Sequence, residues 1–141
     1  EPSTFFSADL ISGYPTETRA HADSTLEMVK SLPFSWLHVF PFSARPGTKA
    51  ASLAALSTSE IRDRMAPLLA IARDRREAFS RMHIGSRLVA LVISKKAAGG
   101  RVRAITDNNI EMSLPEGVPY RNMAAACGED TKGRVLCGRW M

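Results

Sequence analysis

The sequence predicts an α/β fold followed by an all-β fold, and three observations carry that prediction. Two short apolar segments, residues 8–12 and 36–40, each run into a loop rich in glycine, proline and hydroxyl residues. An apolar repeat with helical spacing separates them, which is the strand–helix–strand order of a parallel sheet. From residue 87 onward, several short alternating segments lie between turn residues, which is typical of a small antiparallel barrel. Ligands of parallel α/β sheets bind on the loops after the strands, so we expect a ligand-facing edge after each early strand.

The first strand is expected over residues 10–12 and to end at Gly13. Thr16 or Thr18 suits the N-cap of the following helix, because a hydroxyl oxygen there accepts a backbone N–H. Glu17 would then lie in the first turn, where the helix dipole favours a negative charge.

The first helix is expected to stop at Pro33, ahead of a second strand over residues 36–40. This strand has little room for a polar face, which predicts a parallel strand covered on both sides. His38 is accordingly expected to be a buried structural histidine rather than a ligand, and Phe40 and Phe42 are expected in the core.

A long second helix is predicted to begin at a capping box formed by Ser57 and Glu60 and to run to about Met82. Pro67 lies inside it and is expected to kink or break it. Gly85 suits the end of this segment.

The remaining third of the chain is predicted to be all-β. Strands are expected at residues 88–93, 101–105, 110–114 and 133–140. The stretch 118–132 is poorly patterned and predicts one short strand with loops. With a boundary near Gly85, the expected domains are residues 1–84 and 85–141.

Composition excludes some classes of protein. No apolar run approaches the roughly 18 residues that cross a membrane. The only cysteines, Cys127 and Cys137, have a spacing that matches no common zinc or iron–sulfur pattern. Two reduced thiols in a cytoplasmic protein are the first interpretation, and a disulfide is the alternative.

Positive charge is concentrated in the second part of the chain. Residues 1–80 hold nine Lys/Arg and nine Asp/Glu, whereas residues 81–141 hold ten against five, a net charge of +5. This asymmetry indicates either a polyanionic partner or a solvated basic surface.

The loop motifs support a more specific identification. Residues 9–18 (DLISGYPTET) and 37–48 (LHVFPFSARPGT), with the separation between them, resemble the last two strand–loop motifs of the radical-SAM methylthiotransferases. The tail resembles a TRAM domain, a small RNA-binding β-barrel. The resemblance to the family as a whole covers residues 8–114 well and the rest only by position. Within the family, LHVFP together with Thr106-Asp107-Asn108 is most similar to the enzymes that act on threonylcarbamoyladenosine in tRNA. Related enzymes act on isopentenyladenosine or on a ribosomal protein.

The resemblance implies a reaction and its cofactors. A [4Fe–4S] cluster would reduce S-adenosylmethionine to a 5′-deoxyadenosyl radical that takes a hydrogen from carbon 2 of the adenine ring, and a second cluster would help to deliver sulfur. Neither the CxxxCxxC motif nor the cysteines of the second cluster occur here. We therefore expect a C-terminal fragment of a longer enzyme that binds no cluster, has no catalytic residue of its own and is inactive alone.

The resemblance also assigns candidate binding residues. Gly13, Glu17 and Thr18 would lie beside S-adenosylmethionine, and Arg45 would pair with a carboxylate or phosphate. Alternatively, these residues only shape the turn, cap the helix or form a structural ion pair.

We expect the barrel to bind tRNA and not to bind a membrane. The candidate phosphate contacts are Lys95, Lys96, Arg101, Arg103, Arg134 and Arg139. The apolar edges of the early strands make self-association possible. The alternative functions are a non-enzymatic nucleic-acid-binding module and a methylthiotransferase that acts on a ribosomal protein.

Overall fold

The computed structural model describes residues 4–94 and 99–141, which form two compact units. The first unit is residues 6–75, and the second is Thr4 and Phe5 with residues 76–141. Strand–helix segments come first and a closed barrel follows, so the predicted fold class is confirmed. The division into domains at 1–84 and 85–141 stays a prediction.

The first unit is a two-stranded parallel sheet with helices. Its elements are β1 (Ser7–Ser12), α1 (Arg19–Ser31), β2 (Trp36–Pro41), a 3-10 turn (Lys49–Ser52) and the part of α2 (Thr58–Met82) up to residue 75. β1 and β2 pair in register, with Ala8 opposite Leu37 and Asp9 opposite His38.

Only one face of this sheet is buried in the described residues. On that face, Leu37 joins Val29 of α1 and Leu68 of α2 in an apolar cluster. The opposite face carries His38, which is exposed, and Phe40, which is 49% exposed. The predictions of a buried His38, a core Phe40 and a strand covered on both sides are therefore wrong, because the alternation of the strand directs these side chains away from both helices.

The first helix begins and ends close to the predicted places. Thr18 is the N-cap: its hydroxyl accepts from the N–H of His21 at 3.2 Å, and the His21 ring accepts from the N–H of Thr18 at 3.3 Å. Glu17 consequently lies before the helix rather than in its first turn, which corrects that prediction. The helix stops at Ser31, two residues before Pro33.

Helix α2 has the predicted capping box. The Ser57 hydroxyl accepts from the N–H of Glu60 at 3.2 Å, and the Glu60 carboxylate accepts from the N–H of Ser57 at 3.0 Å. The hydrogen bond from the Ser57 hydroxyl, followed by the one from its backbone, lowers the pKa of Glu60. The helix is continuous through Pro67, so the break allowed for at that residue is absent.

The second unit is a closed five-stranded barrel. Its strands are β3 (Arg87–Val92), β4 (Arg101–Thr106), β5 (Glu111–Pro115), β6 (Met123–Lys132) and β7 (Val135–Trp140), in the spatial order β3-β4-β5-β7-β6. Neighbouring strands are antiparallel except for β5 with β7, which are parallel. The sequence pattern did not predict that parallel pair.

Strand β6 is the clearest departure from the sequence prediction. The strand spans ten residues where one short strand was expected, with a register shift between Gly128 and Asp130. Close backbone packing explains how a weakly patterned segment forms a strand. A Cβ on Gly138 of β7 would lie 2.1 Å from the Cys127 carbonyl oxygen, so only glycine permits this approach.

The barrel interior is lined by buried apolar side chains. Met112, Leu114 and Leu136 have no exposed surface, and Phe79 from the last turns of α2 joins them. Cys127 and Cys137 are free thiols rather than a disulfide.

The part of α2 in this unit also carries Arg76. Its guanidinium lies 4.7 Å from the Phe5 ring centroid and donates to the Asn109 carbonyl. Burial, followed by the charge of Arg134, lowers the pKa of Arg76.

No helix in the part of the chain that the structure describes combines the length and apolar character needed for a membrane crossing.

Candidate functional site

The loops after β1 and β2 meet at one edge of the parallel sheet. The N–H of Phe42 donates to the Ser12 carbonyl at 2.8 Å, and the rings of Tyr14 and Phe42 touch edge to face, with centroids 5.2 Å apart. These contacts bring the two predicted ligand-facing loops side by side.

Gly13 is enclosed by protein. It has a φ of +85°, and a Cβ at this position would lie 2.6 Å from Cγ1 of Ile61. Its N–H donates to the Glu17 carboxylate at 2.9 Å. The conformation and the close contact with α2 both require glycine.

Glu17 forms a buried ion pair with Arg64 of α2. One terminal nitrogen of Arg64 donates to the Glu17 carboxylate at 2.8 Å and to the Glu17 carbonyl at 2.6 Å. The side chains of Arg64 and Glu17 are only 8% and 14% exposed. Because the carboxylate also accepts from Gly13, it fastens the loop after β1 onto α2.

Thr18 and Arg45 differ in their surroundings. The Thr18 hydroxyl is occupied in capping α1. Arg45 is exposed on the loop after β2, where its carbonyl accepts from the N–H and the hydroxyl of Thr48. Its guanidinium has no acidic partner among the described residues. Of the four candidates, Arg45 thus offers a charged group to solvent, and no hydrogen bond or ion pair joins it to the other three.

Arg64 is the residue of this region that sequence reasoning missed, whereas Ile61 was expected on the apolar face of the helix. Arg64 shares with Ile61 the face of α2 that also carries Leu68, which is 5% exposed. A charged residue at helical spacing between two apolar ones was the available signal, since a buried arginine needs an anionic partner.

Arg101 of the predicted RNA-contacting group is bound to the barrel itself. Its guanidinium donates to the Ser113 hydroxyl at 2.9 Å, to the Ser113 carbonyl and to the Gly138 carbonyl. These bonds join β4 to β5 and β7.

The other predicted arginines have acidic neighbours. Arg103 binds the Glu111 carboxylate at 2.8 Å, and Arg134 lies 3.7 Å from the same carboxylate. Arg139 pairs with Glu129 at 2.7 Å. Lys95 and Lys96 lie outside the described residues.

Two arginines that the prediction omitted are open to solvent. Arg87 lies at the start of β3 and Arg121 before β6, and neither has an acidic partner in the described part of the chain. The Arg121 guanidinium lies 5.2 Å from the Tyr120 ring centroid. Their positions outside the densest basic run explain why composition alone did not select them.

The residues of this chain do not fit an iron–sulfur cluster. Its only two cysteines are on the barrel strands, and residues 4–94 and 99–141 contain no group of three or more histidine, cysteine or acidic side chains arranged to hold a metal. No chemical step is therefore assigned to a cluster held by this chain.

Comparison with known proteins places these features in context. A threonylcarbamoyladenosine tRNA methylthiotransferase of Treponema pallidum is 33% identical over 132 residues, which is 93% of this chain and 26% of that protein. The enzyme of the same name from Aquifex aeolicus is 33% identical over 112 residues, or 79% of this chain and 26% of that protein. A tRNA-2-methylthio-N(6)-dimethylallyladenosine synthase of Ehrlichia canis is 35% identical over 96 residues, or 67% of this chain and 22% of that protein.

No family model matches the chain. The chain spans about a quarter of the length of the curated relatives it matches. It is therefore homologous to the tRNA methylthiotransferases over that quarter of their length.

Proposed function

We propose that this chain is part of a tRNA methylthiotransferase that adds a methylthio group to carbon 2 of a modified adenosine, with threonylcarbamoyladenosine as the substrate. The observation that carries the proposal is the 33% identity over 132 residues to a threonylcarbamoyladenosine enzyme. The order of strand–helix segments followed by a closed barrel agrees with it.

S-adenosylmethionine would supply the radical that removes hydrogen from carbon 2, a position with no acidic proton and no leaving group. The role of this chain is to present the loops after β1 and β2 to that cofactor. Arg45 suits its carboxylate, because a guanidinium binds a carboxylate through paired N–H donors. Gly13, Glu17 and Thr18 fix the shape of the neighbouring loop.

The exposed face of the β1–β2 sheet supports a role within a larger enzyme. Ile11 is 65% exposed and Phe40 49% exposed on this face. Parallel sheets are normally covered on both faces. In the proposed enzyme, further strands of the same α/β domain would extend this sheet and enclose the face.

The barrel would bind the tRNA in the cytoplasm. Its excess of positive charge supports attraction to phosphates, and the strength of that attraction would fall with added salt. The exposed arginines of the barrel would contact the phosphates directly.

The proposal is tested by deleting the gene that encodes this chain and measuring tRNA nucleosides by mass spectrometry. We expect the 2-methylthio form of threonylcarbamoyladenosine to disappear and its precursor to accumulate, while the 2-methylthio form of isopentenyladenosine is unchanged. Loss of the latter instead would reassign the substrate. No change in either nucleoside would overturn the proposed function.

A further inference from the structure

We infer that a groove on the outside of the barrel unit binds one ribonucleotide of an RNA, because it presents an arginine and an aspartate that form no ion pair with each other or with any other described residue. The inference rests on the proposed function and names the surface through which the barrel holds its tRNA.

The groove lies along the start of β3. It has a volume of about 590 Å³, and its walls include Phe5, Arg87, Val89, Asp107 and Asn108. This volume falls within the range of about 300–1,000 Å³ in which proteins hold small ligands.

The two charged residues of the groove restrict the kind of ligand that it can bind. Arg87 is exposed, and neither it nor Asp107 has an ion-pair partner within the described ranges. One oxygen of Asp107 accepts from the N–H of Asn108 at 2.8 Å, which leaves the other oxygen available. A ligand that satisfies both residues must offer both an anion and a hydrogen-bond donor.

A ribonucleotide offers this combination. Its phosphate suits the donors of Arg87, and its 2′-hydroxyl can donate to the Asp107 carboxylate. The apolar wall has room for the sugar or base, since Val89 is 45% exposed beside the Phe5 ring. DNA lacks the 2′-hydroxyl, so the site should distinguish the two nucleic acids.

Hydrogen bonds hold the polar wall of the groove in place. The Asn108 amide accepts from the Thr106 hydroxyl at 2.6 Å and lies 3.0 Å from Nε2 of His83. His83 is 5% exposed, and its Nδ1 lies 2.8 Å from the Phe79 carbonyl. The turn that carries Asp107 is therefore fixed before a ligand arrives, which lowers the entropy cost of binding.

The arginines that the sequence predicted as RNA contacts are less suited to bind a phosphate than Arg87. Arg101 is bonded to the barrel backbone, and the pairs of Arg103 and Arg139 with glutamates must open before either can bind a phosphate. Arg87 requires no such rearrangement.

The test is fluorescence anisotropy of the 141-residue chain with a labelled tRNA anticodon stem–loop and with a DNA stem–loop of the same sequence. We expect Arg87→Ala to weaken RNA binding about ten-fold and Asp107→Ala, which removes the acceptor for the 2′-hydroxyl, to reduce the preference for RNA over DNA. Arg81→Ala is the matched control, because Arg81 is an exposed arginine of the same unit that lies outside the groove, and it should change the RNA affinity less than about two-fold. Circular dichroism establishes that each variant is folded.

The outcomes separate the two proposals. If the wild-type chain binds the RNA but Arg87→Ala and Asp107→Ala bind it equally well with an unchanged preference, the groove assignment is overturned and the proposed function stands. If the wild-type chain binds no RNA, the tRNA-binding role of the barrel in the proposed function fails, and the groove assignment fails with it.

Discussion

Replacing Arg64 with methionine removes one partner of the buried ion pair that fastens the loop after β1 to α2. The Glu17 carboxylate would keep its hydrogen bond from Gly13, at 2.9 Å, but lose its 2.8 Å contact with the guanidinium. With the carboxylate side chain only 14% exposed, water replaces the lost partner poorly. Removing one partner of a buried ion pair lowers the free energy of unfolding by about 3–5 kcal/mol. Because the carboxylate keeps its hydrogen bond from Gly13, we expect a decrease near the lower value, about 3 kcal/mol.

The measurement is urea unfolding followed by Trp36 fluorescence, with Trp140→Phe in every variant so that the first unit alone is observed. Arg73→Met is the matched control, since Arg73 and its partner Asp74 are both 68% exposed. An exposed pair of this kind contributes less than about 1 kcal/mol.

A second substitution distinguishes a lost charge partner from lost packing. Adding Glu17→Gln to Arg64→Met removes the uncompensated charge while the amide oxygen still accepts from Gly13. We expect the double variant to be about 1 kcal/mol more stable than Arg64→Met alone. A double variant that is less stable than Arg64→Met would refute the reasoning.

Three further predictions follow from local geometry. Gly13→Ala should cost about 1–3 kcal/mol more than Gly47→Ala, because both glycines have positive φ but only Gly13 lies against a side chain; equal losses in urea unfolding would contradict this. The lowered pKa of Glu60 means that its capping contribution is complete above the ordinary value of about 4.3 and is lost as the pH falls through the lowered value. An NMR titration should therefore show Ser57→Ala raising that pKa, and an unchanged value would count against the capping geometry. His83→Ala should destabilise the barrel by about 2–4 kcal/mol in thermal unfolding, and a loss below about 0.5 kcal/mol would exclude a structural role.

The sequence predicted those elements whose pattern is local. The capping box of Ser57 and Glu60 depends on residues three apart, and Thr18 caps α1 through the same kind of contact. The alternation along β4 and β5 likewise follows from which side chains enter the barrel.

The sequence could not show what depends on distant pairing. Glu111 neutralises Arg103 and Arg134 because neighbouring strands bring them together, so a count of charges overestimates the free basic surface. The length of β6 depends on the space that Gly138 leaves beside Cys127. Such contacts follow from the tertiary structure rather than from intrinsic strand preference.

His38 shows the same limitation at the candidate site. Apolar neighbours predicted burial, but side chains alternate along a strand, and the face that carries His38 is uncovered in the described residues. Gly13 and Glu17 were selected from the sequence as residues beside the cofactor, and that role stays a prediction. Their contacts with Ile61 and Arg64 could not be predicted, because α2 begins some forty residues later in the chain.

The central claim is that this chain belongs to an enzyme that methylthiolates tRNA at threonylcarbamoyladenosine. The most direct measurement incubates the full-length protein containing this chain, reconstituted with its cofactors, with tRNA that carries threonylcarbamoyladenosine, tRNA that carries isopentenyladenosine, or ribosomal protein. Mass spectrometry should detect the added methylthio group on the first substrate alone. Its appearance on the isopentenyladenosine tRNA or on the ribosomal protein, or its absence from the threonylcarbamoyladenosine tRNA, would contradict the claim.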